Sequence, residues 1–239
     1  MYLRFNEPTL GTWVLRTVGE PEAVADAERV LAEPDWLTRE IRLYWGRVLK
    51  RLDMSARTLI ALVEPGSCFG GTLAELVLAA DRSVMLDGDR EGDDRSPATI
   101  RLTAANDGWY PMSNGLSRLA TRFWGRDDVL DDARGLIGKD LDARSALDAE
   151  LVTFAPDEID WDDEVPVMIA ERNSFSPDAL TAMEANYRFV GPETMETKIF
   201  ARLTAWQNWV FQRPNAVGPD GALRRYGTGS RPTFDRARI

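Results

Sequence analysis

The residue types able to do chemistry are few, and they gather in one stretch. The chain has no histidine and a single cysteine, Cys68. It therefore holds no Ser-His-Asp or Cys-His nucleophile system and no imidazole metal site. Proton transfer falls to carboxylates, cysteine, lysine, tyrosine or backbone dipoles. Between Leu59 and Leu86 an apolar run, Leu59 to Val63, stops at Glu64-Pro65-Gly66. After Gly70-Gly71 an apolar pattern at helical spacing begins with Leu73, Leu76, Val77 and Ala80. This order predicts strand, tight loop, buried helix, strand. Paired glycines let backbone N–H groups approach a ligand closely, and a helix N-terminus favours negative charge there, which is the geometry of an oxyanion hole. The same pattern also describes a glycine-rich turn between two packed elements, and the pattern alone leaves both open. Within the helix, Glu75 reads either as a buried carboxylate satisfied by its neighbours or as a catalytic acid. Cys68 reads as a small packed residue, since no histidine is available to activate it.

These residues need a frame. With 239 residues, 44 % hydrophobic and 28 % charged, the chain is an ordinary globular protein, long enough for one core or a core plus an appended piece. No stretch reaches the roughly 18 uninterrupted apolar residues of a membrane helix, and the N-terminus shows no signal-peptide apolar region, so the expected setting is cytoplasmic. A net charge of −10 argues against nucleic acid or an anionic membrane as partner. One cysteine excludes an internal disulfide framework.

In chain order, residues 11–19 predict a strand closed by glycine, and 22–31 predict a helix with Ala23, Val24, Ala27, Val30 and Leu31 on one side. Residues 36–52 predict the clearest helix, with Leu37, Ile41, Tyr44, Trp45, Val48 and Leu52 on one stripe that reads as core rather than as a cofactor surface. Beyond the central helix, 81–86 and 99–103 predict strands. The acidic run 87–95 between them is a solvated loop, in which a calcium-loop pattern lacks its closing glutamate. Residues 115–124 predict a helix. Ala143 and Ala146-Leu147 lie on another, followed by a short strand at Leu151-Val152. From Trp161 the chain turns helical, over 164–172, 177–187 and 193–211. The tail from Ala222 holds five arginines against one aspartate, which suggests a contact within the chain or between subunits, with phosphate binding the lesser reading. The expected division is a core over 1–160 and C-terminal helices with a basic tail over 161–239.

The run from Leu49 to Asp81, with its helix, strand, glycine-rich loop, Glu-bearing helix and Ala79-Ala80-Asp81, resembles the signature of the enoyl-CoA hydratase/isomerase, or crotonase, superfamily. Later matches keep that order: Gly108, Pro111 and Arg118-Leu119, then Gly138, Ala143 and Ala146, then Leu151-Val152. The wording of segments 64–69, 176–181, 191–197, 205–209 and 213–218 is similar to one lyase branch of that superfamily. That branch opens the ring of an aromatic-derived dihydrodiol CoA thioester and releases formate in aerobic degradation. The resemblance covers nearly the whole chain. It implies an α/β fold, a crotonase-like spiral of strand-strand-helix units with a C-terminal helical region.

The resemblance further implies an acyl-CoA substrate whose thioester carbonyl is held by two backbone N–H groups as an enolate, while glutamates move protons or activate water. It implies no metal and no cofactor beyond the coenzyme A of the substrate. Matched by position, the helix-side N–H belongs to Gly71 or Thr72, the first glutamate is Glu75, the strand-side N–H lies near Val18 or Gly19, and Cys68 lies in the thioester-binding loop. Two departures stand out. The glycine triplet is only Gly70-Gly71-Thr72, and the second glutamate's position, four residues before Gly108, is Ala104. A two-glutamate hydratase mechanism is therefore not expected, and Asn106, Asp107 and Tyr110 stand nearest that position as substitutes. The N-terminal unit of the spiral is expected to be missing, which would leave Trp13, Val14, Leu15, Trp36, Tyr44 and Trp45 partly uncovered. A homo-oligomer, or association with a catalytic crotonase-like half, follows as the expected assembly. Two functions stay open: part of a carbon–carbon lyase acting through Glu75 and the loop 64–72, or a non-catalytic half with a structural or dimerisation role.

Overall fold

The computed structural model describes residues 6–237, and the chain divides into two compact units. The larger comprises Val14–Met54 and Leu59–Met168; the smaller comprises residues 6–13, Ser55–Thr58 and residues 169–237.

The larger unit builds the site. Strand β1 (Thr12–Leu15) leads into it, and helix α1 (Pro21–Ala32) begins with proline, whose missing N–H costs nothing in a first turn. Helix α2 (Trp36–Asp53) is started by Asp35, whose carboxylate accepts the Leu37 N–H at 2.8 Å and the Thr38 N–H at 3.3 Å. Next come β2 (Thr58–Val63), β3 (Phe69–Gly70), α3 (Gly71–Ala79) and β4 (Arg82–Met85), the predicted strand, loop, helix and strand. In the first sheet β2 lies between β1 and β4, parallel to β4 with Ile60 opposite Arg82 and Val63 opposite Met85. Every residue of β2 is buried, which explains why it reads as an unbroken apolar run instead of an alternating one. In the second sheet β5 (Ile100–Arg101) lies between β3 and β6 (Asp140–Leu141), parallel to the first and antiparallel to the second.

Several expectations change. Of the helix predicted over 115–124 only α4 (Arg118–Arg122) forms, because the chain turns at Gly115, at φ +83°, before Ser117 caps the helix through the Ala120 N–H at 3.0 Å. Helix α5 (Asp127–Arg134) was not predicted, since only Leu130 and Ala133 of it are buried and so sparse a stripe gives little periodic signal. Helix α6 (Ala143–Asp148) follows. The strand expected at Leu151-Val152 reduces to a single bridge between Val84 and Phe154.

The largest correction concerns α2. Most of its stripe, read as core-facing, looks outward: Leu37, Ile41, Tyr44 and Val48 are exposed, Tyr44 by 58 %, and Trp36 is 73 % exposed, while Trp45 and Leu52 are half-buried. The inner face is carried by Leu49, which packs with Trp45, Ala105 and Tyr110. The partial exposure expected for Trp36, Tyr44 and Val14 is thus present, while Trp13, Leu15 and Trp45 are half-buried.

The smaller unit takes up helix α7 (Glu158–Ser174) from Ile169 onward, then α8 (Pro177–Arg188). A further helical stretch runs from Met195 to Val210, wound as a π-helix over Lys198–Leu203. Helix α7 runs across residues 160 and 161, the expected start of the C-terminal helices. Ser55–Thr58 joins this unit through two bonds of the Arg188 guanidinium, to the Ser55 carbonyl at 2.6 Å and the Arg57 carbonyl at 2.8 Å. The Thr58 hydroxyl also donates to buried Glu184 at 2.6 Å, and Arg172 pairs with the same carboxylate at 2.7 Å. Long-range hydrogen bonds of this kind leave no trace in local sequence pattern.

Candidate active site

The turn from β3 into α3 sets the geometry. Gly70 is extended at φ −111°, and Gly71 follows at φ +44°, a left-handed conformation that glycine adopts at little cost. The bend starts α3 so that the Thr72 N–H points away from the helix, as an oxyanion donor would.

That donor is already used. The Thr72 N–H and the Thr72 hydroxyl, the latter at 2.7 Å, both donate to the Glu28 carboxylate on α1. The Thr103 hydroxyl donates to its other oxygen at 2.7 Å. Because the Thr72 hydroxyl spends its proton on Glu28, the Tyr110 hydroxyl must be the donor across the 2.9 Å contact with Thr72. A β-carbon at Gly71 would overlap the Glu28 carboxylate, so the glycine supplies room for it as well as the bend. The loop does accept an anion, and the anion comes from the chain itself.

On the strand side, the Gly19 N–H donates to the Gly66 carbonyl at 3.0 Å, and Gly19 has φ +148°. Cys68 is buried beside it: its N–H donates to the Thr17 hydroxyl at 3.0 Å, and a β-carbon on Gly19 would lie 3.4 Å from its sulfur. Gly19, Cys68, Gly71 and Thr72 are thus brought to one loop, with the N–H groups of Gly19 and Thr72 occupied from within.

Glu75 lies one turn into α3, 1 % exposed. Its carboxylate accepts from Arg118 at 2.7 Å and from the Asn106 amide at 2.7 Å; that amide also donates to the Gly71 carbonyl at 2.9 Å. On its other side Arg118 grips Asp53, at the end of α2, through bonds of 3.0 and 2.5 Å. Burial pushes the Glu75 carboxyl above the usual carboxylate range, against the pull of the Arg118 guanidinium and the Asn106 amide. Two buried carboxylates thus flank one guanidinium, which also donates to the Tyr110 carbonyl at 3.2 Å.

Of the three substitutes proposed near Ala104, two reach this region. Ala104 opens a 3-10 turn, Ala104–Asp107, capped by Thr103, which places Asn106 on Glu75 and Tyr110 on Thr72. Asp107 turns outward to Arg134 at 3.0 Å. Sequence reasoning missed Glu28, Thr103, Asp53 and the pairing of Arg118. Glu28 lies in a helix of ordinary polar and alanine spacing and carries no motif that would single it out. Among the described residues no group of three or more Cys, Asp or Glu is placed to hold a metal ion, and no described helix is long and apolar enough to cross a membrane.

No family model matches the chain. It is 46 % identical over 239 residues to the benzoyl-CoA-dihydrodiol lyase of Aromatoleum evansii, an alignment that covers 99 % of this chain and 42 % of that protein. The chain therefore spans less than half the length of the curated relative it matches. In structure it is similar to an enoyl-CoA hydratase/isomerase from Cupriavidus metallidurans, with TM-score 0.64 and 17 % identity, covering 96 % of this chain and 80 % of that one. An enoyl-CoA hydratase from Bacillus anthracis gives TM-score 0.65 and 14 % identity, covering 94 % and 81 %. At such identities the likeness establishes the fold. With the glycine turn, the Glu-bearing helix and the two small sheets in the order the motifs required, the chain is a crotonase-fold protein related in sequence to benzoyl-CoA-dihydrodiol lyase.

Proposed function

We propose that the chain is the non-catalytic half of a benzoyl-CoA-dihydrodiol lyase, the enzyme that opens the ring of a dihydrodiol CoA thioester with release of formate in aerobic benzoate degradation. The observation that carries this reading is Glu75. A proton-transfer group must reach the reacting atom, at about 2.6–3.2 Å or through one water; Glu75 is enclosed, with both oxygens engaged by Arg118 and Asn106. Ala104 at the second glutamate position supports the same reading. The role left to the chain is to pack on the catalytic half through the apolar face of α2, where Trp36, Leu37, Ile41 and Tyr44 are exposed. In this reading the acyl-CoA binds the partner half, no cofactor beyond the substrate's coenzyme A is used, and the complex works in the cytoplasm.

The test is Glu75→Gln in the lyase assembled from this chain and the remainder of the enzyme. Glutamine can keep one bond to Arg118, so the expected result is kcat within about threefold of the parent. A loss of about 100- to 10,000-fold, the range for removal of a general acid or base, in a variant that melts like the parent would overturn the reading.

A further inference from the structure

Helix α2 carries charge in a pattern that its own fold does not use. It holds five cations, Arg39, Arg42, Arg47, Lys50 and Arg51, in a chain of net charge −10. The acidic residues on the same helix are Glu40 and Asp53, and Asp53 is buried against Arg118. Among the described residues none of the five cations forms an ion pair. Exposed arginines elsewhere in the larger unit do take carboxylates: Arg126 takes Glu150, Arg134 takes Asp107, and Arg144 takes Asp87. The spacing makes the pattern costly. Arg39 and Arg42 stand three residues apart, as do Arg47 and Lys50, and Arg47 and Arg51 stand four apart, so like charges adjoin where opposite charges would stabilise the helix. Two of the guanidiniums lie over aromatic rings, Arg42 over Trp109 at 5.0 Å and Arg47 over Tyr44 at 5.6 Å. A guanidinium held over a ring keeps N–H donors for a carboxylate, which it can take through two parallel bonds. Arg47 follows Tyr44 by three residues and Arg51 follows Val48 by three, so these exposed cations flank the outward apolar stripe.

We infer that the exposed face of α2 is a cation-rimmed docking surface for an acidic protein surface, with the catalytic half presenting carboxylates to Arg39, Arg47 and Arg51 around an apolar centre. The inference rests on the reading of the chain as the half that packs on a catalytic partner, and it adds the chemistry by which that partner is recognised. The curated relative has room for such a partner, because the alignment covers 42 % of its length. A wholly apolar partner does not fit the rim, since a cation covered without a carboxylate loses its hydration and gains nothing in return. An anionic membrane or a polyanion is disfavoured by the chain's charge of −10, which repels an extended negative surface; local carboxylates on a protein meet the rim at short range.

The experiment measures the rate at which the full chain associates with the remainder of the enzyme, at about 50 and about 500 mM NaCl. The test variant is Arg39→Glu with Arg47→Glu, which turns all three like-charge pairs of α2 into opposite-charge pairs. Its melting temperature should equal or exceed the parent's, so slower association cannot come from lost folding. Expected at low salt is an association rate lower by about tenfold or more, with dissociation changed much less. High salt should slow the parent by about tenfold and the variant far less. The control is Lys139→Glu with Arg224→Glu, two exposed cations outside α2 that change the net charge equally and should leave the rate within about twofold. Equal slowing by the control overturns the inference, because net charge alone would then explain it. A complex whose formation is insensitive to salt, or to Arg39→Glu with Arg47→Glu, overturns it as well while leaving the packing role of α2 intact. If no complex forms at either salt concentration, that packing role fails together with this inference. Flotation of the parent with phosphatidylserine vesicles would assign the face to a membrane and also overturn it.

Discussion

Replacing Arg118 with leucine tests the buried charge set directly. The Arg118 side chain is 1 % exposed and those of Asp53 and Glu75 are each 2 % exposed, so water cannot take over its role. The substitution removes two bonds to Asp53, one to Glu75 and one to the Tyr110 carbonyl at 3.2 Å, and leaves two carboxylates facing the gap. Breaking a buried pair from one side costs about 3–5 kcal/mol, against a total stability of about 5–15 kcal/mol for a typical domain. For a chain of this size that is a fall of about 6–20 °C in melting temperature. The pH dependence supplies the sharper check. The Glu75 carboxyl is already raised by burial above its ordinary value of 4.5, and Arg118 pulls it down. Without Arg118 it rises further. Between 4.5 and the folded value, the folded state keeps a proton that the unfolded state has released, so stability falls as pH rises through that window. Urea unfolding of the leucine variant should therefore show a larger loss at pH 7.5 than at pH 4.5. Replacing Asp53, Glu75 and Arg118 together with apolar residues of similar size should recover most of the loss. A loss below about 1 kcal/mol at pH 7.5, or the same loss at both pH values, would refute the argument that these three groups depend on each other.

Two further outcomes follow from the same geometry. Gly71→Ala should cost about 2 kcal/mol or more, combining left-handed strain of about 1 kcal/mol with displacement of the Glu28 carboxylate. Adding Glu28→Ala to it should restore part of that stability, so equal costs in both backgrounds by denaturant unfolding would show that the two residues do not meet. Leu37→Lys with Tyr44→Lys places charge on the outward stripe of α2, where both residues are exposed. Sedimentation should show association weakened by about tenfold or more with an unchanged melting temperature, and association at parental strength would place the contact elsewhere.

What could be read from the sequence was local. The apolar run 59–63 marked a strand, Gly70-Gly71 marked the bend that begins α3, and apolar spacing marked the first two helices, because period and glycine act within a few residues. Ala104 likewise offers no carboxyl where the resemblance implies a second glutamate. The tertiary structure decided what those elements are used for. Periodicity placed an apolar stripe on α2 but did not say whether another element covers it, and the structure leaves it outside. The pattern put Glu75 on a buried helix but could not choose between catalytic acid and ion pair. The ion pair itself needs Arg118, 43 residues away on another helix. The state of the oxyanion loop rests in the same way on Glu28, whose carboxylate meets Thr72 across 44 residues. A hydrogen-bond donor is defined by its own backbone, but whether it is free is defined by whatever the fold brings against it.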